Sequence, residues 1–155
     1  MEDKEKKKEI ETQDAFEYTQ RLINTVHDPT IILYDELMVA LANSSFYQTF
    51  NVNAGETEGR FIYDLGNHQW DIPKLRHLLE EILPKTTSFD NFEIEHDFPH
   101  IGKRIMLLNA CRIYMEANRT KLIIITIKDI TERKKILELS EKIRELEARL
   151  KKNLH

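Results

Sequence analysis

The chain has 155 residues, 41% of them hydrophobic and 32% charged, with a formal net charge of −4. That suffices for one globular core with helical extensions but not for two cores, and the acidic balance offers no overall attraction to nucleic acid. A single cysteine excludes an intrachain disulfide, residues 122–127 are too short an apolar run to span a bilayer, and residues 1–9 lack the apolar stretch of a secretion signal, so a cytoplasmic setting is expected.

Residues 1–13 are rich in Lys and Glu and are expected to form a charged tail or frayed helix end. A flanking helix is predicted over residues 14–28. Asp14 and Glu17 have capping-box spacing, Phe16, Ile23 and Val26 trace one face, and Pro29 stops the helix. Residues 30–34 and 38–42 read as a β-hairpin joined at Asp35-Glu36. Asn43 is a suitable N-cap for a short helix that turns Phe46 and Phe50 inward. Residues 51–66 hold three of the four glycines and no sustained period, which predicts short helical turns and loop.

Asp71 is expected to cap the next helix, with Pro73 in its first turn and Pro84 at its end. Leu75, Leu78, Leu79 and Ile82 line one side of that helix. Phe92, Ile94, His96 and Phe98 then alternate with Glu93, Glu95 and Asp97, the pattern of a half-exposed strand. A turn at Gly102 leads to a long strand near residues 104–115, a polar turn over 116–120 and a last strand over 121–128. This order predicts an α+β domain, a five-stranded antiparallel sheet with helices on one face, its core spanning residues 29–130.

The strand ends at Asp129, and Asp129-Ile130-Thr131-Glu132 has capping-box form, so strand is expected to pass into helix without a loop. In the terminal helix, residues 131–155, Ile136, Leu139, Ile143, Leu146 and Leu150 repeat in alternating three- and four-residue steps. This is a heptad seam suited to parallel two-stranded pairing. Such a helix outreaches the edge of a small domain and needs a partner. A homodimer through this helix is expected, with the N-terminal helix as a further candidate contact. The seam runs toward the chain end with no C-cap before Asn153, so the natural protein is expected to continue beyond His155 or the chain to be an excised piece.

The exit Asp129-Ile130-Thr131-Glu132-Arg133-Lys134-Lys135 resembles the Asp-hydrophobic-Thr passage into a signalling helix of the PAS family of sensor modules. Glu56-Thr57-Glu58-Gly59-Arg60 and Leu65-Gly66-Asn67-His68-Gln69-Trp70-Asp71-Ile72-Pro73 carry a closer resemblance. It continues in Phe92-Glu93-Ile94-Glu95-His96-Asp97-Phe98-Pro99 and Met106-Leu107-Leu108-Asn109-Ala110. The closer relatives are PAS domains of prokaryotic sensor histidine kinases and of chemotaxis methyltransferase–methylesterase fusion proteins. The resemblance implies a non-catalytic, usually dimeric domain that senses a small ligand or partner. It would transmit through its terminal helix to an effector in the same polypeptide, such as a histidine kinase. A ligand-free dimerisation or docking module is the alternative, because fold does not fix function.

The resemblance supplies no cofactor. Light-sensing flavin relatives carry a reactive cysteine in an Asn-Cys-Arg-Phe setting on a helix, whereas Cys111 sits mid-strand. Haem-binding relatives offer a histidine from the long helix, but His77 lies about 200° around that helix from Leu75. His96 and His100 are separated by roughly 13 Å of extended strand, too far for one zinc ion. Ligand-pocket candidates are His96, Asn109, Trp70, Phe46, Phe92 and Leu79. His96 could meet a ligand or be a satisfied core histidine, and Trp70 could close a pocket or plug the core. Asn109 alternates with Leu107 and Cys111 and is expected to face the same cavity. Glu93, Glu95 and Asp97 are expected to be solvated. Asp129, Thr131 and Glu132 are the signal-relay candidates, and the five seam residues the dimerisation candidates. No phosphate loop, nucleophile elbow or phosphoryl-accepting histidine within the helix is present, so no enzymatic activity, metal site, nucleic-acid partner or direct membrane insertion is expected.

Overall fold

The computed structural model describes residues 2–115 and 119–154. Helix α1 (Glu2–Asn24) leads to the hairpin β1 (Thr30–Tyr34) and β2 (Val39–Ala42). Short helices α2 (Ser44–Phe50), α3 (Ala54–Thr57) and α4 (Leu65–His68) follow, then α5 (Pro73–Arg76), which continues through a π-helical turn, His77–Ile82, and a 3-10 turn, Leu83–Lys85. Strands β3 (Ser88–Phe98), β4 (Gly102–Met115) and β5 (Thr120–Asp129) complete the sheet, and α6 (Thr131–Asn153) leaves it. The sheet is antiparallel in the order β2-β1-β5-β4-β3. The expected α+β architecture is the observed one.

Strand alternation decides which side chains meet the helices. Ile123, Ile125 and Ile127 of β5, Met106, Leu108 and Ala110 of β4, and Ile31 and Leu33 of β1 are buried on one face. They pack against Phe46, Phe50, Trp70, Leu75, Leu78, Leu79 and Leu83 from the helical layer. On the opposite face a smaller cluster joins Ile23 of α1 to Ile32 and Leu41.

Asn43 ties the flanking helix to this core. Its side chain, wholly buried, donates to the carbonyls of Ile23, Val26 and Asp28 and accepts the N–H groups of Thr30 and Phe46. One amide therefore fixes the end of α1, the start of β1 and the start of α2, and its role as N-cap is as expected.

Three local expectations differ. Helix α1 starts at Glu2, so Asp14 lies inside it rather than capping it, and the helix ends at Asn24 rather than near Asp28. The Lys/Glu-rich segment consists of strong helix formers and extends the helix instead of fraying it. Asp71 does not cap α5. The N-cap is Ile72, without a side-chain bond, and Asp71 instead accepts from Arg76 Nε at 2.6 Å. Finally, α4 contains left-handed backbone at Gly66, Asn67 and His68. Gly66 has φ +51, and a Cβ there would stand 1.9 Å from Gln69 Nε2, so any side chain would have to displace that of Gln69. The turn expected over residues 116–120 lies, in its first three residues, outside the described ones.

Candidate functional site

Two places bear on function, the interior beneath the sheet and the junction of β5 with α6. The interior is filled by its own side chains. Trp70 stacks on Phe46 with centroids 5.8 Å apart and meets Phe50 at 4.7 Å and Phe98 at 5.3 Å. The void bounded by Phe46, Ile62, Trp70, Leu75, Leu108 and Ile125 measures about 10 Å³. A drug-sized ligand needs roughly 300 Å³ or more, and a single water about 10–15 Å³. Trp70 thus acts as a plug, Phe46 is the core residue stacked on it, and Leu79 is a buried core residue that does not line this void.

The other pocket candidates do not line this void. Phe92 is half-buried against Phe89 at 5.3 Å, and the His96 ring lies half-buried edge-on to Phe98 at 5.0 Å. Asn109 is a correction. It is exposed on the opposite face of the sheet, while its neighbours Leu108 and Ala110 are buried, and its Oδ1 accepts the Asn91 N–H at 2.8 Å. Expected alternation with Leu107 and Cys111 holds, but that set is the outer one. Cys111 is partly exposed there, opposite Ile124 of β5. His77 is exposed and pairs with Glu81. Among the described residues no His, Cys, Asp or Glu cluster could hold a metal ion.

The junction is built by strand geometry carried one step too far. Met106 pairs with Asp129 at the end of the β4–β5 ladder, so Ile105 and Ile130 would form the next pair. Ile130 N–H does donate to the Ile105 carbonyl at 2.9 Å. The complementary acceptor is a side chain, because Thr131 Oγ1 accepts the Ile105 N–H at 2.9 Å. Asp129 Oδ1 receives both the Thr131 N–H at 2.9 Å and the Thr131 hydroxyl at 2.5 Å. Asp129 Oδ2 meets Arg104 Nη1 at 3.2 Å. The expected capping box is therefore shifted. Ile130 (φ −110, ψ 13) is the N-cap, and Asp129, one residue earlier, satisfies the first helical amide. Glu132 stands exposed in the first turn, where its charge suits the helix N-terminus.

One more bond was not anticipated. Glu93, expected to be solvated, pairs with Lys134 of α6, while Glu95 pairs with Lys103 at 3.1 Å. Beyond Lys134 the helix leaves the domain, every residue from Lys135 to Leu154 being exposed. The seam residues Ile136, Leu139, Ile143, Leu146 and Leu150 are 53–63% exposed in the single chain. No helix among the described residues is long and apolar enough to cross a membrane.

The chain was compared with known proteins. A family model described as the PAS fold matches residues 17–130. No curated protein matches the sequence. Among solved structures, the PAS domain of Bordetella pertussis BvgS is similar at 24% identity and TM-score 0.57, over 85% of this chain and 98% of that one. The PAS domain of nitrogen regulation protein NR(II) from Vibrio parahaemolyticus is similar at 16% identity and TM-score 0.58, over 72% and 97%. An RNA-binding light-oxygen-voltage receptor is similar at 17% identity and TM-score 0.64, over 85% of this chain and 37% of that one. The family match spans most of the chain, and the five-stranded sheet with helices on one face is the fold these structures share, so the chain belongs to the PAS family, the sensory domains of signalling proteins.

Proposed function

We propose that this chain is a signal-relay PAS module, handing changes at its sheet through the Asp129–Thr131 junction to a paired α6 and on to an effector such as a histidine kinase. One observation carries the reading. The first turn of α6 is bonded to β3 and β4, through Glu93–Lys134 and Ile105–Thr131, while the rest of the helix presents an unpaired heptad seam. A shift of β4 against β5 must then reposition the start of the helix.

The seam supports pairing with a second copy. Its Ile, Leu, Ile, Leu, Leu series suits parallel two-stranded packing, and burying each side chain would contribute about 1.5–3 kcal/mol. The relay is then a population shift between packings of the two helices, limited by how differently the input binds them. The filled interior favours input at the surface, through partner contacts or through α1, which Asn43 anchors, over a ligand held inside.

The same filled interior favours a second reading, a ligand-free dimerisation or docking module. Replacing Asp129 and Thr131 by Ala in an effector-bearing polypeptide separates the two. The relay reading predicts a folded domain whose output no longer follows the stimulus. Output that still follows it leaves only the docking role.

A further inference from the structure

A cleft of about 360 Å³ opens at the far end of β4 and β5 from the α6 junction. Its lining includes Lys85, Thr86, Thr87, Arg112, Tyr114 and Lys121 and, among the described residues, no carboxylate. Three cations from separate elements converge there on a chain of net charge −4: Lys85 at the end of the 3-10 turn, Arg112 on β4 and Lys121 on β5. Neither Lys85 nor Lys121 has a carboxylate partner among the described residues. Arg112 is positioned from several sides. Its backbone N–H donates to the Thr87 carbonyl at 2.9 Å, and its guanidinium lies 3.2 Å from Asp35. That pair is about a third exposed, so an incoming anion can reach it.

We propose that this cleft binds a compact polyanion, a phosphate ester or a polycarboxylate. Gathered like charges repel, and an anion among them replaces that repulsion with charge-assisted hydrogen bonds. Arg112 supplies a planar donor fork, the two lysines supply mobile point charges, and Tyr114 supplies an aromatic wall. The volume matches small-ligand sites, unlike the void in the core. An anion that draws Arg112 from Asp35 also acts on β4 where Arg112 faces Ile123 of β5, the strand that ends at Asp129. This last step rests on the relay reading, whereas the site does not.

Calorimetric titration of the full chain with pyrophosphate and with citrate tests the site. Saturable binding of at least one is expected, weakening at high salt. The affinity should fall about tenfold or more in Lys85→Gln/Lys121→Gln and in Arg112→Gln. It should be unchanged in Lys103→Gln, whose charge lies near the other end of β4 and pairs with Glu95. Preference for pyrophosphate identifies a phosphate ligand, and preference for citrate a carboxylate one. Thermal melts of the variants without anion establish that they fold, and the exposed lysines make the double variant the secure one. Absence of saturable heat with both anions, or equal affinity in the folded double variant, overturns the proposal. Binding without any change in Ile105 amide exchange leaves the site standing and removes only its link to the relay.

Discussion

The hydroxyl of Thr131 accepts the N–H of Ile105 at 2.9 Å, so a helix side chain completes a bond that a strand would otherwise have made. The same hydroxyl donates to Asp129, which in turn holds the first amide of α6. Replacing Thr131 by Val preserves shape and removes the acceptor. The Ile105 N–H is then left unmatched in a partly buried site, at a cost of about 1–3 kcal/mol. Thr131→Ser keeps the hydroxyl and is expected to stay within about 1 kcal/mol of the wild type. Chemical denaturation compares the two, and equal losses would mean that the hydroxyl contributes nothing.

Asn43 is the most connected polar side chain of the core, and Asn43→Asp keeps its size while reversing its chemistry. The amide donates to three carbonyls, which a carboxylate can only repel, and the site is wholly buried. A loss of at least about 3 kcal/mol is expected, since an unmatched charge is left in the interior. Hydrogen exchange should show the end of α1, near Ile23 and Val26, loosening first. Uniform loss across the domain would contradict the assignment of Asn43 as the anchor of that helix.

Trp70 completes the aromatic packing of Phe46, Phe50 and Phe98. Trp70→Ala should cost about 3–5 kcal/mol and open a dry cavity where the wild type has almost none. A small apolar probe such as benzene should then raise the melting temperature of the variant and leave the wild type unchanged. Stabilisation of the wild type by benzene would mean that its interior has room for a guest.

Tyr63 gives the core a pH signature. It is 1% exposed, beneath the Arg76 guanidinium at 4.0 Å. Burial, assisted by the Glu80 carboxylate, pushes its hydroxyl up from 10.0 to about 12. Below pH 10 folded and unfolded states are both neutral and the contribution is fully present. Between about pH 10 and 12 only the unfolded tyrosine loses its proton, so stability falls by about 1.4 kcal/mol per pH unit until the folded state also ionises. Ultraviolet titration should find a late step that Tyr63→Phe removes, and the variant should lose less stability at high pH, keeping the share of Tyr47, whose hydroxyl burial also pushes up.

Much of this was readable from spacing. The alternation of Phe92, Ile94 and Phe98, the N-cap at Asn43 and the seam from Ile136 to Leu150 follow from periods of two, three and four, which depend on neighbours in the chain. What resisted reading depends on partners distant in sequence. Whether Asn109 faces in or out is set by the register of β4 on β5, which one slip inverts, and the run Met106-Leu107-Leu108 is apolar on both parities. Glu93 meets Lys134 across 41 positions, and Arg112 meets Asp35 across 77. Nothing local announces either pair. Asp71 lost its predicted capping role to a local competitor, since the Arg76 guanidinium five residues on takes the same carboxylate.

The coupling of sheet to helix is tested most directly by amide hydrogen exchange at Ile105, compared between the wild type and Leu139→Glu/Leu146→Glu. Those substitutions lie far along the exposed part of α6 and touch nothing in the domain. If pairing of the seam and the Thr131–Ile105 bond form one mechanical unit, breaking the pair should speed exchange at Ile105 while protection at Leu33 in the core is kept. Unchanged Ile105 protection in a demonstrably monomeric variant would contradict the relay.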